Sequence, residues 1–302
     1  MKRLIFIHGI NNQNNSVEKI LEEWQAALKL GAPGLDLTAD ITVSAAFYGK
    51  MLADETDDWD PTDRETLQPM GADAPDSDYA PDEIAALYKE FQRAYDIPDS
   101  TVVEYLDEED EITSLQRMGK GIHKKWLKAI ARALEKVVPG LADDLADRFL
   151  KQASAYLFKP GLKDKIETEV FNDVFQQVSD DDELIIVSHS LGTIVSYELL
   201  RRKLQSKTVP LFLTAGSPLA IKLVKERIGG PYLKPVGVTD WMNVSDKEDF
   251  VALHPKLDAE TFGPAQIDNL ATVDNGNEDP HDIRKYLAHT AVAERIAAAL
   301  AS

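Results

Sequence analysis

The stretch Ile185-Ile186-Val187-Ser188-His189-Ser190-Leu191-Gly192-Thr193-Ile194-Val195 decides how this chain is read. An apolar run of strand length ends in small-x-Ser-x-Gly and passes at once into a helical pattern. A residue at the apex of so sharp a strand-to-helix turn has strained backbone angles and crowded neighbours. The positions two before and two after it must therefore be small, as Ser188 and Gly192 are. Ser190 is then expected to project above a sheet, with the Leu191 N–H and the helix start facing any developing negative charge. That is the placement of a nucleophile; the plainer reading is a buried helix-capping serine.

Outward from this turn the pattern alternates. Strands are expected at Leu4–His8, Ile41–Phe47, Leu184–Val187, Val209–Ala215, Thr239–Val244 and, more weakly, Ile267–Val273. Helices are expected at Ser16–Leu30 (Ser16 as N-cap, Gly31 as stop), Lys163–Val178, Leu191–Leu204 and Ile283–Ala301. Strand–helix alternation predicts an α/β fold: a mainly parallel sheet of about six strands with helices on both faces.

Charge marks out an insertion. Lys+Arg 33 against Asp+Glu 52 gives the 302-residue chain a net charge of −19. Residues 51–120 hold 21 acidic and 5 basic residues, whereas residues 121–165 hold 10 basic and 5 acidic. The core is therefore placed at 1–50 and 160–302, with 51–159 an inserted, largely helical cap, acidic then basic. Leu52–Tyr79 reads as irregular, and Asp82–Tyr95, Gly121–Val138 and Leu141–Leu157 as helical. Gly121–Val138 sets Ile122, Trp126, Ile130 and Leu134 on one face and lysines elsewhere. That pattern suits either a packed helix or a surface touching lipid or an acyl chain.

Composition excludes several classes of function. A uniformly negative surface repels phosphate backbones, so nucleic acid is not expected as a partner. The absence of cysteine excludes disulfides, thiolate nucleophiles and zinc–sulfur sites. No apolar run is long enough to span a bilayer, and the first apolar stretch is too short for a signal peptide, so a cytoplasmic location is expected. The acidic clusters Asp54–Asp60 and Asp107–Glu111 lack the spaced ligands and glycine of a calcium loop and read as solvated faces.

With the Ser190 turn in this strand-before, helix-after context, the chain resembles an α/β-hydrolase of the lipase and esterase type. The likeness covers roughly 1–50 and 160–302, and departs from Gly-x-Ser-x-Gly by Ser188 in the first small position. It begins at the strand bearing His8-Gly9, two strands later than usual. By this resemblance Phe6-Ile7-His8-Gly9-Ile10-Asn11 carries the second oxyanion donor, at the Ile10 N–H with Asn11 as the neighbour alternative, beside the Leu191 N–H. His8 itself reads as scaffold.

The acid is expected in Ser245-Asp246-Lys247-Glu248-Asp249-Phe250-Val251, where Asp249-x-Val resembles the lipase pattern and Asp246 is the alternative. The base follows in chain order, as His281 after Pro280 or as His289. His281 is favoured if Ile283–Ala301 is one helix, because His289 would then lie about two turns inside it; a last helix starting at Thr290 would favour His289. His254 could line the cleft, His123 reads as solvated, and Gly216-Ser217-Pro218 as an ordinary turn.

The resemblance implies a serine hydrolase cleaving carboxylic esters of small-molecule or lipid-like acyl substrates, without cofactor or metal. The same triad would serve an acyltransferase or amidase. A binding or regulatory module on a hydrolase scaffold is the reading from a different class.

Overall fold

A computed structural model of the chain describes residues 1–37, 40–57, 59, 82–106, 124–138, 141, 145–264 and 266–302. Asp107–Glu111, His123 and most of the stretch read as irregular lie outside these residues. The chain divides into two compact units, residues 1–51 with 164–302 and residues 52–163.

The first unit is an α/β unit. Its strands are β1 (Lys2–Ile7), β2 (Ile41–Ala46), β3 (Glu183–His189), β4 (Thr208–Ala215), β5 (Val238–Asp246) and β6 (Asp268–Val273). They form one six-stranded, all-parallel sheet in the order β2-β1-β3-β4-β5-β6. Between the strands run α1 (Val17–Gly31), the start of α2 (Gly49–Asp57), the end of α7 (Leu162–Val170) with its π-turn Phe171–Phe175, α8 (Leu191–Arg202), α9 (Lys222–Ile228), α10 (Ile283–Ala288) and α11 (Thr290–Ala301). Sidedness follows from the period-two strand pattern. Leu4, Phe6, Ile185, Val187, Leu211 and Leu213 pack against Ile20, Trp24 and Leu28 of α1, Tyr286 of α10 and Ile296 of α11. On the opposite face Tyr197 of α8 sits 5.3 Å, ring to ring, from Trp241, which in turn meets Phe212 at 5.1 Å. Both faces being covered explains why the central strands read as unbroken apolar runs.

β2 lies on one side of β1 and β3 on the other, so the winding direction reverses at the β1/β3 junction. In open parallel sheets the carboxyl ends of the strands at such a reversal frame a crevice. His8–Ile10 follow β1 and Ser190 follows β3, one on each side of it.

Three expectations change. The terminal helix is two helices, because His289, at φ −66° and ψ 127°, is extended and separates α10 from α11. Leu52–Asp57 is helical, part of α2. A short helix, α9, fills the loop after β4.

In the second unit α3 (Asp82–Ala94), α4 (Asp99–Val103), α5 (Lys124–Val137) and α6 (Leu145–Phe158) pack together. The apolar face of α5 (Trp126, Leu127, Ile130, Leu134) is buried, while Lys125, Lys128, Arg132 and Lys136 are exposed. The face that suggested lipid contact is thus occupied by protein. Lys159 Nζ pairs with Glu55 Oε2 at 2.6 Å, tying the end of α6 to α2. Among the described residues no helix is long and apolar enough to cross a membrane.

Candidate active site

Ser190 stands at φ +55° and ψ −130°, a conformation that non-glycine residues avoid. Local bonds hold it there: its N–H donates to the Ala215 carbonyl at 3.0 Å, and its carbonyl accepts from Thr193 N (2.9 Å) and Thr193 Oγ1 (2.8 Å). Such strain costs about 1–3 kcal/mol and persists only where the surroundings over-determine it. The crowding inferred from the motif is present. A Cβ on Gly192 would lie 2.4 Å from the His8 carbonyl oxygen, and one on Gly9 would lie 2.3 Å from Ser190 Cβ. Ser188 is fully buried and donates its hydroxyl to the Leu213 carbonyl at 3.1 Å. The Ser190 side chain is itself buried, and among the described residues its Oγ has no hydrogen-bond partner. Leu191 opens α8, so its N–H belongs to the first turn, where helical donors have no intrahelical acceptor.

The loop after β1 is clamped by His8. Its Nε2 accepts from the Tyr48 backbone N–H at 3.1 Å, so the proton sits on Nδ1, which donates to the Gly9 carbonyl at 2.7 Å. Burial pushes the imidazole down to about 4, which keeps it in this neutral form. The ring stacks on Tyr48 at 4.2 Å, and the Tyr48 hydroxyl donates to the His8 carbonyl. Asn12 Nδ2 adds donors to the carbonyls of Gly9 (3.3 Å) and Ile10 (2.8 Å). In a planar trans peptide the C=O and the following N–H point in opposite directions. Fixing the Gly9 carbonyl therefore fixes the heading of the Ile10 N–H. Asn11, at φ +60°, takes the left-handed bend that follows.

Asp249 and His281 are brought together. His281 Nδ1 lies 2.8 Å from both Asp249 oxygens, and both side chains are buried. Burial pushes the Asp249 carboxyl up, but the His281 charge and hydrogen bond and the Tyr286 hydroxyl outweigh it, and the net shift is downward. An ionised carboxylate only accepts, so Nδ1 carries a proton, and in the neutral imidazole Nε2 then holds the lone pair. Nε2 is buried, and among the described residues it has no hydrogen-bond partner. The pair rests on Gly216, at φ +55°, where a Cβ would lie 2.6 Å from Asp249 Oδ2 and 3.0 Å from His281 Nδ1. Gly216 is thus the floor beneath the pair rather than an ordinary turn residue.

The alternative residues do other work. Asp246 accepts from the backbone N–H of Glu248 (2.8 Å) and Asn275 (2.5 Å), which joins the β5 loop to the segment before His281. His289 pairs its Nε2 with Asn275 Oδ1 at 3.0 Å, and Asn275 Nδ2 donates to the Pro280 carbonyl at 2.6 Å. Both therefore shape the loop bearing His281. His254 is half-buried, three residues past Val251. Asp54 and Glu55 of the first acidic cluster lie on α2.

Three participants escaped the sequence reading. The His189 ring packs against His281 with ring centres 4.3 Å apart and planes tilted by 36°, and its Nε2–H donates to the His281 carbonyl at 2.8 Å. Burial, then the nearby His281 charge, push it down to about 3. Asn275 is the second and Tyr286 the third; its hydroxyl lies 2.7 Å from Asp249 Oδ2. Only for His189 was there a local signal, its place beside the nucleophile position.

Ile10, Ser190, Leu191, Asp249 and His281 all stand after the carboxyl ends of β1, β3, β5 and β6. Among the described residues no group of acidic or histidine side chains could hold a metal ion. Comparison of the chain with protein-family models, curated proteins and solved structures found no match in any of the three.

Proposed function

We propose that this protein is a serine hydrolase that cleaves carboxylic esters through an acyl-enzyme on Ser190, on a scaffold of the α/β-hydrolase type. One observation carries the reading: a strained serine at a strand-to-helix apex, next to a residue whose ring packs against an imidazole that a buried carboxylate holds by its Nδ1. The unsatisfied buried atoms Ser190 Oγ and His281 Nε2 support it, since an unpaired buried polar atom is costly and such costs concentrate where chemistry is done.

In this reading Ser190 Oγ attacks the ester carbonyl carbon while His281 Nε2 takes its proton. Asp249 holds the Nδ1–H and stabilises the imidazolium. The N–H groups of Ile10 and Leu191 receive the oxyanion. The imidazolium returns the proton to the departing alcohol, leaving Ser190 acylated. Water, deprotonated by the same imidazole, then releases the acid. The protein acts in the cytoplasm on small-molecule or lipid-like acyl esters.

The test is a fluorophosphonate label followed by ester hydrolysis over short to long acyl chains, on wild type and Ser190→Ala. Wild type labels at Ser190 and turns over one chain-length class; the variant does neither. A wild-type chain that resists the label at every concentration counts against the proposal, and leaves the scaffold a binding module. Acyl transfer in place of hydrolysis shows as a new ester when an alcohol acceptor is added.

A further inference from the structure

Tyr286 meets Oδ2 of the Asp249 carboxylate, whereas the main-chain donors of Val251 and Ala252 meet Oδ1. Its hydroxyl accepts from the Asp246 backbone N–H at 2.9 Å and lies 2.7 Å from Asp249 Oδ2. A phenol has a single proton, and an N–H can only donate, so the Tyr286 proton is directed at Asp249. We propose that Tyr286 is a positioning residue for the acid–base pair, a fourth member that orients Asp249 and draws off part of its charge. This inference rests on the reading of His281 as the base.

The carboxylate is fully engaged. Oδ1 accepts from Val251 N (2.8 Å) and Ala252 N (3.3 Å), Oδ2 accepts from Tyr286, and His281 Nδ1 reaches both. The main-chain donors come from the acid's own loop and fix Oδ1. Tyr286 meets Oδ2 together with His281, and with Oδ1 held by its own loop this second donor helps set the rotation of the carboxylate plane that His281 meets. His281 and Tyr286 are five residues apart, one on the loop and one on α10, so a single segment grips Asp249 at two points. Burial, followed by the Asp249 charge, pushes the phenol well above its ordinary range, which keeps the donor proton in place. A tyrosine serving only as core filling would need an acceptor, but not the carboxylate that faces the imidazole.

The direction of the effect follows from charge. A donated hydrogen bond neutralises part of a carboxylate's charge. Without it, Asp249 presents more charge to the Nδ1–H and favours the imidazolium. The other titratable or charged groups around the pair are His189 from β3, Asp246 at the end of β5, and Asp279 and Asp282 flanking His281. Removing the hydroxyl leaves these side chains in place and takes from Asp246 the acceptor of its backbone N–H.

The experiment compares wild type, Tyr286→Phe, Asp249→Asn and the double variant. It records pH profiles of kcat and kcat/KM on a p-nitrophenyl ester, together with the downfield Nδ1–H proton resonance of His281. Phe fills the same volume, so Tyr286→Phe folds, and its circular dichroism and urea midpoint confirm this. The expected result is kcat lower by roughly tenfold with KM within about twofold, and an acid limb moved up by about one pH unit, the shift one charge-assisted hydrogen bond supports. The Nδ1–H resonance shifts in Tyr286→Phe. In the Asp249→Asn background the same change alters neither kcat nor the limb. An unmoved acid limb and resonance, with only stability lowered, would overturn the proposal. If no variant including wild type hydrolyses any ester, the proposed function fails, while the resonance still decides whether Tyr286 acts on the Asp249–His281 pair.

Discussion

The His189 ring lies 4.3 Å from the His281 ring, and its Nε2–H is bonded to the His281 carbonyl at 2.8 Å. The residue beside the Ser190 hydroxyl thus grips, by backbone and by ring, the residue proposed to deprotonate it. His189→Phe keeps a ring against His281 but removes the donor and orphans a buried carbonyl, at about 1–3 kcal/mol. His189→Gln returns an N–H at similar reach. The expectation is a lower urea midpoint and slower fluorophosphonate labelling in Phe, both largely restored in Gln. Labelling that tracks ring bulk instead, with Phe as good as wild type, would assign the role to stacking.

Gly9 admits no side chain. A Cβ there would fall 2.3 Å from Ser190 Cβ and 2.8 Å from its Oγ. Gly9→Ala should leave the sheet folded, displace the Ser190 hydroxyl, and reduce the labelling rate by roughly 100-fold, the penalty expected for about 1 Å of misplacement. A labelling rate within threefold of wild type would show that the loop after β1 yields easily.

Asp249→Asn and Asp246→Asn separate chemistry from support. Asp249→Asn removes the charge that fixes the Nδ1–H tautomer, and kcat should fall by about 10⁴ with little change in KM. Asp246 accepts only backbone N–H groups, so its substitution should lower stability by about 1–2 kcal/mol and leave kcat within tenfold. His289→Ala belongs with Asp246 in this comparison, and His281→Ala with Asp249. Ester kinetics of the four variants show whether the pairs sort this way; loss of turnover in His289→Ala with retention in His281→Ala would reverse the assignment.

Acid should unfold this protein through its buried imidazoles. Burial pushes His8 down to about 4 and His189 to about 3, whereas both would titrate near 6.5 when unfolded. A depressed folded value means the unfolded chain binds the proton first, so this stabilisation is full above about pH 6.5 and declines as pH falls. His8 alone contributes about 3 kcal/mol that is lost between pH 6.5 and 4. Asp249, also depressed, acts with the same sign below the usual carboxylate range. Urea midpoints should hold from pH 8 to about 6.5 and fall from there to pH 4.5, and the decline should be shallower in His8→Asn, which keeps a donor but does not titrate. Parallel slopes for the two proteins would remove His8 from this account.

What could be read from the sequence is what local rules govern. Apolar runs of strand length mark β1, β3 and β4, with weaker patterns along β2, β5 and β6, and the small residues around Ser190 report a turn that tolerates nothing larger. Ser16 caps α1 as its residue type indicates. The choice between His281 and His289 was of another kind. It was framed as a question of where one helix begins, but the chain breaks at His289 and forms two, and His281 is set against Asp249 by contacts that span the fold. His189 reaches across 92 residues to the His281 carbonyl and Tyr286 across 37 to Asp249. Strand–turn–helix geometry depends on steric rules within a few residues, so the sequence determines it. Which buried donor meets which acceptor depends on how strands far apart in the chain are aligned in the sheet, and only the tertiary structure decides that.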